Sequence, residues 1–167
     1  MKFDASLVYS ASSSPLGDIW LAATDRGLAG MWFDGQRHSP DRSSWTVCPD
    51  SQQHPVLNAA VQQLQAYFAG TSLQFDLPID LRGGTAFQQS VWQALLAIPL
   101  GQTTSYGELS QSIGKPLAVR AVGTAIGRNP ISIIVPCHRV LGADGSLTGY
   151  AGGLDRKMAL LTLEGAL

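Results

Sequence analysis

The sequence predicts an α+β protein in which a small N-terminal antiparallel sheet with one helix precedes a helical C-terminal region with a helix-turn-helix. Three observations lead to this fold class. Short apolar runs alternate with turn residues in the first third of the chain, apolar residues recur at helical spacing after Pro55, and helix caps alternate with helix breakers after Gly84. With 167 residues, 45% of them apolar, the chain can bury a full core.

The first third of the chain has the pattern of short strands joined by turns. Apolar runs at 7–9, 19–23 and 28–33 are separated by Ser-Pro-Leu-Gly at 14–17 and Asp-Arg-Gly at 25–27. Short strands this close along the chain pair most simply as an antiparallel meander. The N-terminal part of the protein is therefore expected to be a small antiparallel sheet.

One helix is expected to pack on this sheet. After an irregular polar stretch at 34–53, Pro55 suits the first turn of a helix whose apolar residues recur through Phe68, and Gly70 ends it. Apolar residues then alternate with polar residues over 73–79, which predicts one more strand. The stretch 80–84 that follows is the best candidate linker between two domains, 1–80 and 85–167.

The region after the linker has the signals of several short helices. Thr85 and Ser105 each stand three residues before a Gln or Glu, the spacing of a capping box, and start two of them. A further helix is predicted over 117–126, and a last one over 155–163. A short helix, a turn at Lys115-Pro116 and a second helix make a helix-turn-helix.

Charge is distributed unevenly along the chain, although the formal net charge is only −1. Residues 1–80 contain four basic and eight acidic side chains, whereas residues 115–157 contain six basic and two acidic ones. This asymmetry favours a polyanionic partner for the C-terminal region, but a chance drift in composition would look the same.

The sequence indicates neither a membrane protein nor an exported one. No apolar run approaches the roughly 20 residues that span a bilayer, and residues 1–5 lack the apolar core of a secretory signal. The chain has two cysteines, Cys48 and Cys137, in very different contexts. They could form one disulfide, but a reduced cytoplasmic location is the expectation.

The segment Pro-Cys-His-Arg-Val at 136–140 is the best candidate for chemistry. An apolar run predicted as a strand precedes it, Asn129 lies eight positions before Cys137, and Glu164 follows near the C-terminus. A thiol beside the imidazole of His138, with a carboxylate to orient that imidazole, is the arrangement that activates a cysteine nucleophile. The alternative is an inert buried cysteine, a common fate of this residue type.

The helix predicted over 117–126 carries small residues that would allow close approach to another surface. Ala118, Ala121 and Ala125 share one face, and Arg120 stands beside them with the length to enter a duplex or contact phosphate. The same alanines could instead pack against a neighbouring helix. Because the helix lacks the Asn, Gln and Arg array that reads bases, DNA binding would be largely independent of sequence.

Metal and nucleotide cofactors are not expected. The sequence has neither a C-x-x-C nor an H-x-x-x-H pair, and no Walker loop or dinucleotide fingerprint. Cys48, the second cysteine, is expected to pack in or beside a loop.

The segment at 136–140, together with five other blocks, resembles the O6-alkylguanine-DNA alkyltransferases, also called methylated-DNA–protein-cysteine methyltransferases. The resemblance covers roughly residues 71–165 and, more loosely, the N-terminal sheet. It implies a ribonuclease H-like bracing domain at 1–80 and a winged-helix-like domain at 85–167 that binds DNA and accepts the alkyl group. The five other blocks lie at 87–92, 104–108, 120–123, 129–130 and 149–153.

The resemblance implies a direct DNA repair reaction without a cofactor. Cys137 would take the alkyl group from O6-alkylguanine in double-stranded DNA, irreversibly and once per molecule, after minor-groove binding and base flipping; O4-alkylthymine stays open as a second substrate. His138, oriented by Glu164, would be the water-mediated base. Asn129 would order the turn before the active-site strand, and Tyr106 would contact a phosphate and help to protonate the leaving guanine.

The resemblance also implies which residues contact DNA and the flipped base. Arg120 would fill the stack that the base leaves, and Arg128 would either contact phosphate or be merely solvated. The other implied DNA contacts are Ala118, Ala121, Gly123, Ala125, Thr104 and Ser105. The pocket would be formed by Tyr150, Ala151, Gly152, Val140 and Pro136.

Ala151 stands at the position of a serine in the family, which implies a roomier or less discriminating pocket. The protein is expected to be a monomer in solution, and cooperative assembly on DNA stays open.

Two other function classes are compatible with parts of this pattern. A lesion-binding module of the same fold would flag damage without repairing it, but such relatives usually replace the acceptor cysteine by tryptophan, and Cys137 is present. An ordinary Cys-His hydrolase would need an oxyanion hole and a route to turnover, and the sequence indicates neither. Stoichiometry separates the three classes: one transfer per protein, none, or many.

Overall fold

The computed structural model describes residues 7–167, and its N-terminal half is built on a four-stranded sheet. Strands β1 (Val8–Ser12), β2 (Ile19–Thr24) and β3 (Gly27–Phe33) form the antiparallel meander that the sequence predicts. A short strand β4 (Thr46–Val47) adds to the edge parallel to β1, which gives the order β3-β2-β1-β4. The polar composition of 34–53 did not indicate this edge strand. The argument from residues 1–5 about export lies outside the described residues.

Helix α1 (Pro55–Phe68) packs on the sheet as predicted. Pro55 occupies its first turn, where a missing N–H costs nothing, and the ring of His54 caps it by accepting a hydrogen bond from the Leu57 N–H. Gly70, with φ +69°, ends the helix in a conformation that suits glycine. The buried face of α1 consists of Leu57, Ala60, Leu64 and Tyr67.

The predicted strand at 73–79 is wrong. The side chain of Gln63 on α1 accepts from the N–H of Asp76 at 2.7 Å and donates to the Asp76 carbonyl at 2.8 Å, so these backbone groups bond to a helix side chain and not to a strand. Only Ile79 makes a bridge to the sheet, at Leu28. The alternating apolar residues nevertheless pack on the core.

The C-terminal half contains the predicted helices, here α2 (Ala86–Leu96), α3 (Tyr106–Ser112), α4 (Val119–Gly127) and α5 (Leu154–Leu163). Both capping boxes are present, with reciprocal hydrogen bonds at the starts of α2 and α3. Helix α4 begins two residues later than predicted, because the chain first makes a turn in which the Ala118 N–H donates to the Lys115 carbonyl.

The helix-turn-helix consists of α3, a turn through Gly114 at φ +68°, and α4. Helix α2 holds α4 from behind, because the buried indole N–H of Trp92 donates to the Ala125 carbonyl at 2.9 Å. A short parallel ladder pairs β5 (Thr104–Ser105) with β6 (Val140–Leu141). This ladder brings the start of α3 close to the segment that contains Cys137.

The apolar run at 131–135 is a buried tight turn, and the predicted active-site strand is therefore wrong. Ile131 makes only an isolated bridge to Met31, and the Val135 N–H donates back to the Ile131 carbonyl at 3.0 Å. Ile133 has φ +71°, a left-handed conformation that is strained for a β-branched residue. A single 3-10 turn, Cys137–Arg139, follows.

Both halves of the chain contribute to one main core. Residues from the sheet, α1, α2, α4 and α5 form a continuous buried cluster, so the two-domain division at 80–84 stays a prediction. Within residues 7–167, no helix is long and apolar enough to cross a membrane.

Candidate active site

Asn129 connects the thiol of Cys137 to the turn before it. Its amide Nδ2 donates to Cys137 Sγ at 3.0 Å and to the Val135 carbonyl at 2.7 Å, while its Oδ1 accepts from the Ile131 N–H at 3.0 Å. Asn129 and Cys137 are only 5% and 4% exposed. The asparagine therefore holds both ends of the strained turn and aims a donor at the sulfur.

The Cys137 thiol is protonated in the resting protein. Burial raises its pKa to about 11, and the hydrogen bond from Asn129 and the charge of Lys157 oppose this shift only in part. A thiol is a weak nucleophile until it loses its proton. Transfer chemistry at this sulfur therefore requires a base in the site.

His138 has the environment of such a base. Its ring is fully buried, and Nε2 lies 3.0 Å from Oε1 of Glu164, although off the line of a well-aligned hydrogen bond. Burial lowers the His138 pKa despite the neighbouring carboxylate, so the ring is neutral near pH 7. The contact with Glu164 assigns the ring proton to Nε2 and leaves Nδ1, which is buried without a partner among the described residues, as the acceptor.

Glu164 is a carboxylate with four close donors. Besides His138, Arg139 donates from Nε to Oε2 at 2.7 Å and from a terminal nitrogen to Oε1 at 3.0 Å, and the Tyr67 hydroxyl donates to Oε1 at 2.9 Å. Burial alone would raise the Glu164 pKa, but His138 and Arg139 outweigh it and bring the pKa to about 2. The carboxylate therefore stays ionised whenever the protein is folded near neutral pH.

Lys157 on α5 is a site residue that sequence reasoning missed. Its side chain is fully buried, and Nζ donates to the carbonyls of Val140 at 2.5 Å and Thr148 at 2.6 Å. Burial lowers its pKa to about 8, against an opposing effect of Cys137. A cation here lowers the free energy of the Cys137 thiolate. One lysine in an amphipathic helix carries no local sequence signal of that role.

A cavity of about 130 Å³ opens in front of the Cys137 thiol. The structure brings together five of the residues predicted from the sequence, from four separate segments of the chain. These five wall residues are Cys137, Tyr106, Gly123, Tyr150 and Ala151. The remaining wall residues are Arg37, His38, Ile126, Gly127 and Gly149.

Two tyrosines shape the cavity. The Tyr106 hydroxyl lies 3.3 Å from the carbonyls of both Thr148 and Gly149, so it can donate to one of them at a time and ties down the loop that carries Tyr150. Burial raises the pKa of both Tyr106 and Tyr150, which keeps both hydroxyls protonated. Gly149 allows the close approach, since a Cβ on it would lie 3.1 Å from the Tyr106 oxygen.

Several predicted pocket residues lie elsewhere. Pro136 and Val140 are buried beneath the site and do not line the cavity, although the Val140 carbonyl accepts from Lys157. Gly152 lines an outer groove next to Ala151 and not the cavity itself. In this structure the three residues support the pocket from behind and beside it, and their predicted contact with the base stays a prediction.

The predicted DNA-contact residues separate into three groups by exposure. Arg120, Ala121 and Arg128 are exposed, whereas Ala118, Gly123, Thr104 and Ser105 are partly buried. Ala125 is 2% exposed and packs against α2, so its predicted DNA contact is wrong. The alternative interpretation of this alanine, packing against a neighbouring helix, is the correct one. Ser105 caps α3, because its hydroxyl oxygen accepts a hydrogen bond from the Glu108 N–H at 3.1 Å.

Arg37 and His38 on the cavity wall were also missed. They lie in the stretch 34–53, whose sequence indicated only irregular structure. The Arg37 N–H donates to the Ala151 carbonyl at 3.0 Å, which joins this stretch to the pocket loop. His38 has φ +61°. Only the tertiary fold brings these two residues to the cavity.

Among residues 7–167, no group of three or more His, Cys, Asp or Glu side chains could hold a metal ion. The two cysteines are both free and buried. The chemistry of the site is therefore built from a thiol, an imidazole, carboxylate and amide groups, a lysine and two tyrosine hydroxyls.

A helix-turn-helix beside a cavity lined by a buried thiol, with a buried His–Glu pair that begins at the residue after that thiol, defines a nucleic-acid-binding protein with a cysteine nucleophile. The model of the 6-O-methylguanine DNA methyltransferase DNA binding domain matches residues 86–166. The model of the ribonuclease-like domain of the same methyltransferases matches residues 7–81. The chain therefore belongs to the 6-O-methylguanine DNA methyltransferase family, which confirms the family resemblance and the α+β fold class.

Relatives and solved structures agree over nearly the whole chain. The methylated-DNA–protein-cysteine methyltransferase of Mycobacterium tuberculosis is 53% identical over 156 residues, which cover 93% of this chain and 91% of that protein. The Methanosarcina acetivorans protein of the same name is 48% identical over 161 residues, covering 96% and 99%. The crystal structure of M. tuberculosis OGT in complex with DNA has a TM-score of 0.86 at 51% identity, covering 95% of this chain and 93% of that one.

Glu164→Gln should lower the plateau rate of alkyl transfer and move the rising limb of its pH–rate profile to lower pH, because the His138 pKa falls. The neutral amide removes the charge that favours a protonated His138, so the imidazole becomes a weaker base for the Cys137 proton. Single-turnover rates measured across the pH range test this. Asp155→Asn, which removes an exposed carboxylate from the first turn of α5, the helix that Glu164 follows, is the control. A Glu164→Gln profile that overlays the control would show that His138 needs no orienting carboxylate.

Proposed function

We propose that this protein repairs DNA by moving the alkyl group of O6-alkylguanine irreversibly to Sγ of Cys137. One observation carries this proposal: the thiol of Cys137, which accepts a hydrogen bond from Asn129, lies on the wall of a cavity beside the helix-turn-helix, and the buried His138–Glu164 pair begins at the following residue. The family, whose members are named for methyl transfer from DNA to a protein cysteine, supports the same reaction.

In the proposed reaction His138 takes the thiol proton through a water molecule. The thiolate of Cys137 then attacks the alkyl carbon, a new S–C bond forms, and the C–O6 bond breaks with its electron pair going to guanine. Guanine takes up a proton, for which the Tyr106 hydroxyl is the donor on the cavity wall. The product is a thioether. No neighbouring group hydrolyses it, so each molecule acts once and needs no cofactor.

The proposed geometry requires the damaged base to leave the duplex, because O6 is buried in the stack. Helix α4 would lie in the minor groove with the exposed Arg120 filling the stack, and exposed Ala121 and half-buried Ala118 and Gly123 allow close approach of the helix. Thr104 and Arg128 flank this surface. The cavity beside Tyr150 and Ala151 would then receive the base.

The experiment that tests this function is an intact mass measurement with peptide mapping. The protein is mixed with excess duplex that contains one O6-methylguanine. One added methyl group, confined to the Cys137 peptide and saturating at one per protein, is expected. Tight lesion binding without a mass change would instead indicate a damage-recognition module. Multiple turnovers with no covalent product would indicate a hydrolase.

Substrate range and assembly are parts of the same proposal. O4-alkylthymine presents a comparable alkyl–oxygen bond, and competition between the two lesions measures the preference for each. We infer a monomeric protein that acts in the cytoplasm on double-stranded DNA. Sedimentation of the free protein and of its complexes along a long duplex tests the monomer and any cooperative assembly.

The salt dependence of binding to undamaged duplex should be shallow. Among residues 7–167, the exposed cations on or beside the helix-turn-helix surface are Lys115, Arg120, Arg128 and, on the cavity wall, Arg37, and each phosphate contact contributes about 0.9 to the log–log slope. A slope of magnitude about 4 or less is expected in an anisotropy titration. Arg128→Ala should reduce it by about 1, whereas Arg26→Ala in the N-terminal half should not. A much steeper slope would require additional cationic contacts.

A further inference from the structure

Tyr67 connects the N-terminal half of the molecule to the catalytic pair. It lies near the end of α1, is fully buried, and donates its hydroxyl hydrogen to Glu164 Oε1 at 2.9 Å. We propose that Tyr67 is a positioning residue for alkyl transfer, acting through Glu164 on His138. This inference rests on the proposed function and assigns the N-terminal half a part in the reaction beyond bracing.

The hydroxyl binds the particular oxygen that faces the histidine. Glu164 Oε1 is the atom 3.0 Å from His138 Nε2, whereas Oε2 takes the shorter of the two Arg139 contacts. A donor on Oε1 does two things: it stops the carboxylate from rotating away from the imidazole, and it withdraws negative charge from the oxygen that the imidazole contacts. Both effects act on His138 without any contact between Tyr67 and the reacting atoms.

The tyrosine is suited to this role because it is rigid and stays a donor. Its ring packs edge-on against Phe68, with centroids 5.4 Å apart, and at a tilt against Phe75 at 5.3 Å. Burial raises the pKa of the hydroxyl far above neutral pH, so it keeps its proton. The hydroxyl therefore holds its position relative to α1 and to the segment that follows α1, both of which belong to the N-terminal half.

An alternative explanation is that Glu164 merely satisfies a buried hydroxyl that would otherwise lack an acceptor. The two explanations differ in what they predict for the histidine. A hydroxyl that only needs an acceptor affects stability, whereas a positioning hydroxyl also alters the protonation behaviour of the imidazole.

The test compares Tyr67→Phe with Tyr9→Phe in the full chain. Tyr9 is a partly exposed tyrosine on the sheet, packed against Trp20 and Trp45, so its variant removes the same group from the same half of the molecule. Tyr67→Phe is expected to slow single-turnover transfer about 10-fold, because the freed carboxylate orients His138 less well and this loss outweighs the gain in basicity of the imidazole. The slowing should be equal for lesion duplex and for free O6-alkylguanine base, with DNA affinity unchanged.

Nitrogen NMR of the histidine rings provides a readout that is independent of transfer. The chain has three histidines, so His138 can be assigned by substituting His38 and His54. In Tyr67→Phe the ring nitrogen shifts of His138 should move towards a more basic imidazole, and 3-fluorotyrosine at 67, a stronger donor of the same shape, should move them the opposite way.

Unchanged transfer rates and His138 shifts in Tyr67→Phe, with only a loss of stability, would overturn the positioning role. If wild-type protein fails to alkylate Cys137, the proposed function fails, and the His138 shifts then decide separately whether Tyr67 controls the imidazole. If Tyr67→Phe does not fold, the 3-fluorotyrosine protein decides: shifts identical to wild type would overturn the proposal.

Discussion

Cys137→Ala should abolish alkyl transfer while the protein still binds duplex that contains O6-methylguanine. The substitution removes only the sulfur from the cavity wall, and Asn129 keeps its hydrogen bonds to the Val135 carbonyl and the Ile131 N–H, so the turn and the pocket remain. Intact mass measures the transfer, and anisotropy with the lesion duplex measures the binding.

Cys48→Ala is the matched control. Cys48 is the other buried free cysteine, and its thiol donates a hydrogen bond to the Asp50 carbonyl at 3.2 Å. Full transfer to Cys137 is expected in that variant. Residual methylation in Cys137→Ala would reveal a different acceptor, and loss of lesion binding would mean that the sulfur also supports the pocket.

Arg120→Ala should slow repair in duplex DNA about 100-fold and leave the reaction with free O6-alkylguanine base nearly unchanged. Extruding a base costs a few kcal/mol, and an arginine that fills the stack offsets part of that cost only when a stack exists. A loss of about 2.7 kcal/mol corresponds to 100-fold in rate. Arg120 is exposed near the start of α4, so its removal should not disturb the cavity.

Single-turnover rates of wild type and Arg120→Ala are measured with lesion duplex and with free O6-alkylguanine base. The loss of rate with duplex is then compared with the loss of rate with free base. Arg26→Ala removes an exposed cation from the turn between β2 and β3 and should change neither rate. Equal slowing of Arg120→Ala with duplex and free base would mean that the arginine acts on the chemistry or the fold, and its extrahelical role would have to be abandoned.

Local sequence signals predicted the helices well, because their determinants lie within a few residues. The capping boxes at Thr85 and Ser105 form with the partners that their spacing indicates. The two strand predictions were wrong because the determinants of those segments lie far away along the chain. In the first segment Gln63 bonds both backbone groups of Asp76, and at 131–135 Asn129 holds a turn; both outcomes depend on residues that only the fold brings close.

The site residues likewise fall into those that the sequence indicated and those that it did not. The family motif indicated Cys137, His138 and Glu164; the structure buries all three and pairs His138 with Glu164, while their catalytic roles remain the proposal. Lys157 and Tyr67 were missed because each is a single residue of an amphipathic helix, and a buried contact to a distant carbonyl or carboxylate leaves no pattern along the chain.

The buried indole of Trp92 gives the molecule an internal optical label. Trp92 is the only one of the four tryptophans that lies after residue 45, and its N–H donates to a carbonyl of α4. Indole emission depends on the hydrogen bonding and polarity around the ring. Any displacement of α4 relative to α2 when DNA binds would therefore change the fluorescence of Trp92. Substituting the other three tryptophans would isolate this change as a real-time signal of DNA binding.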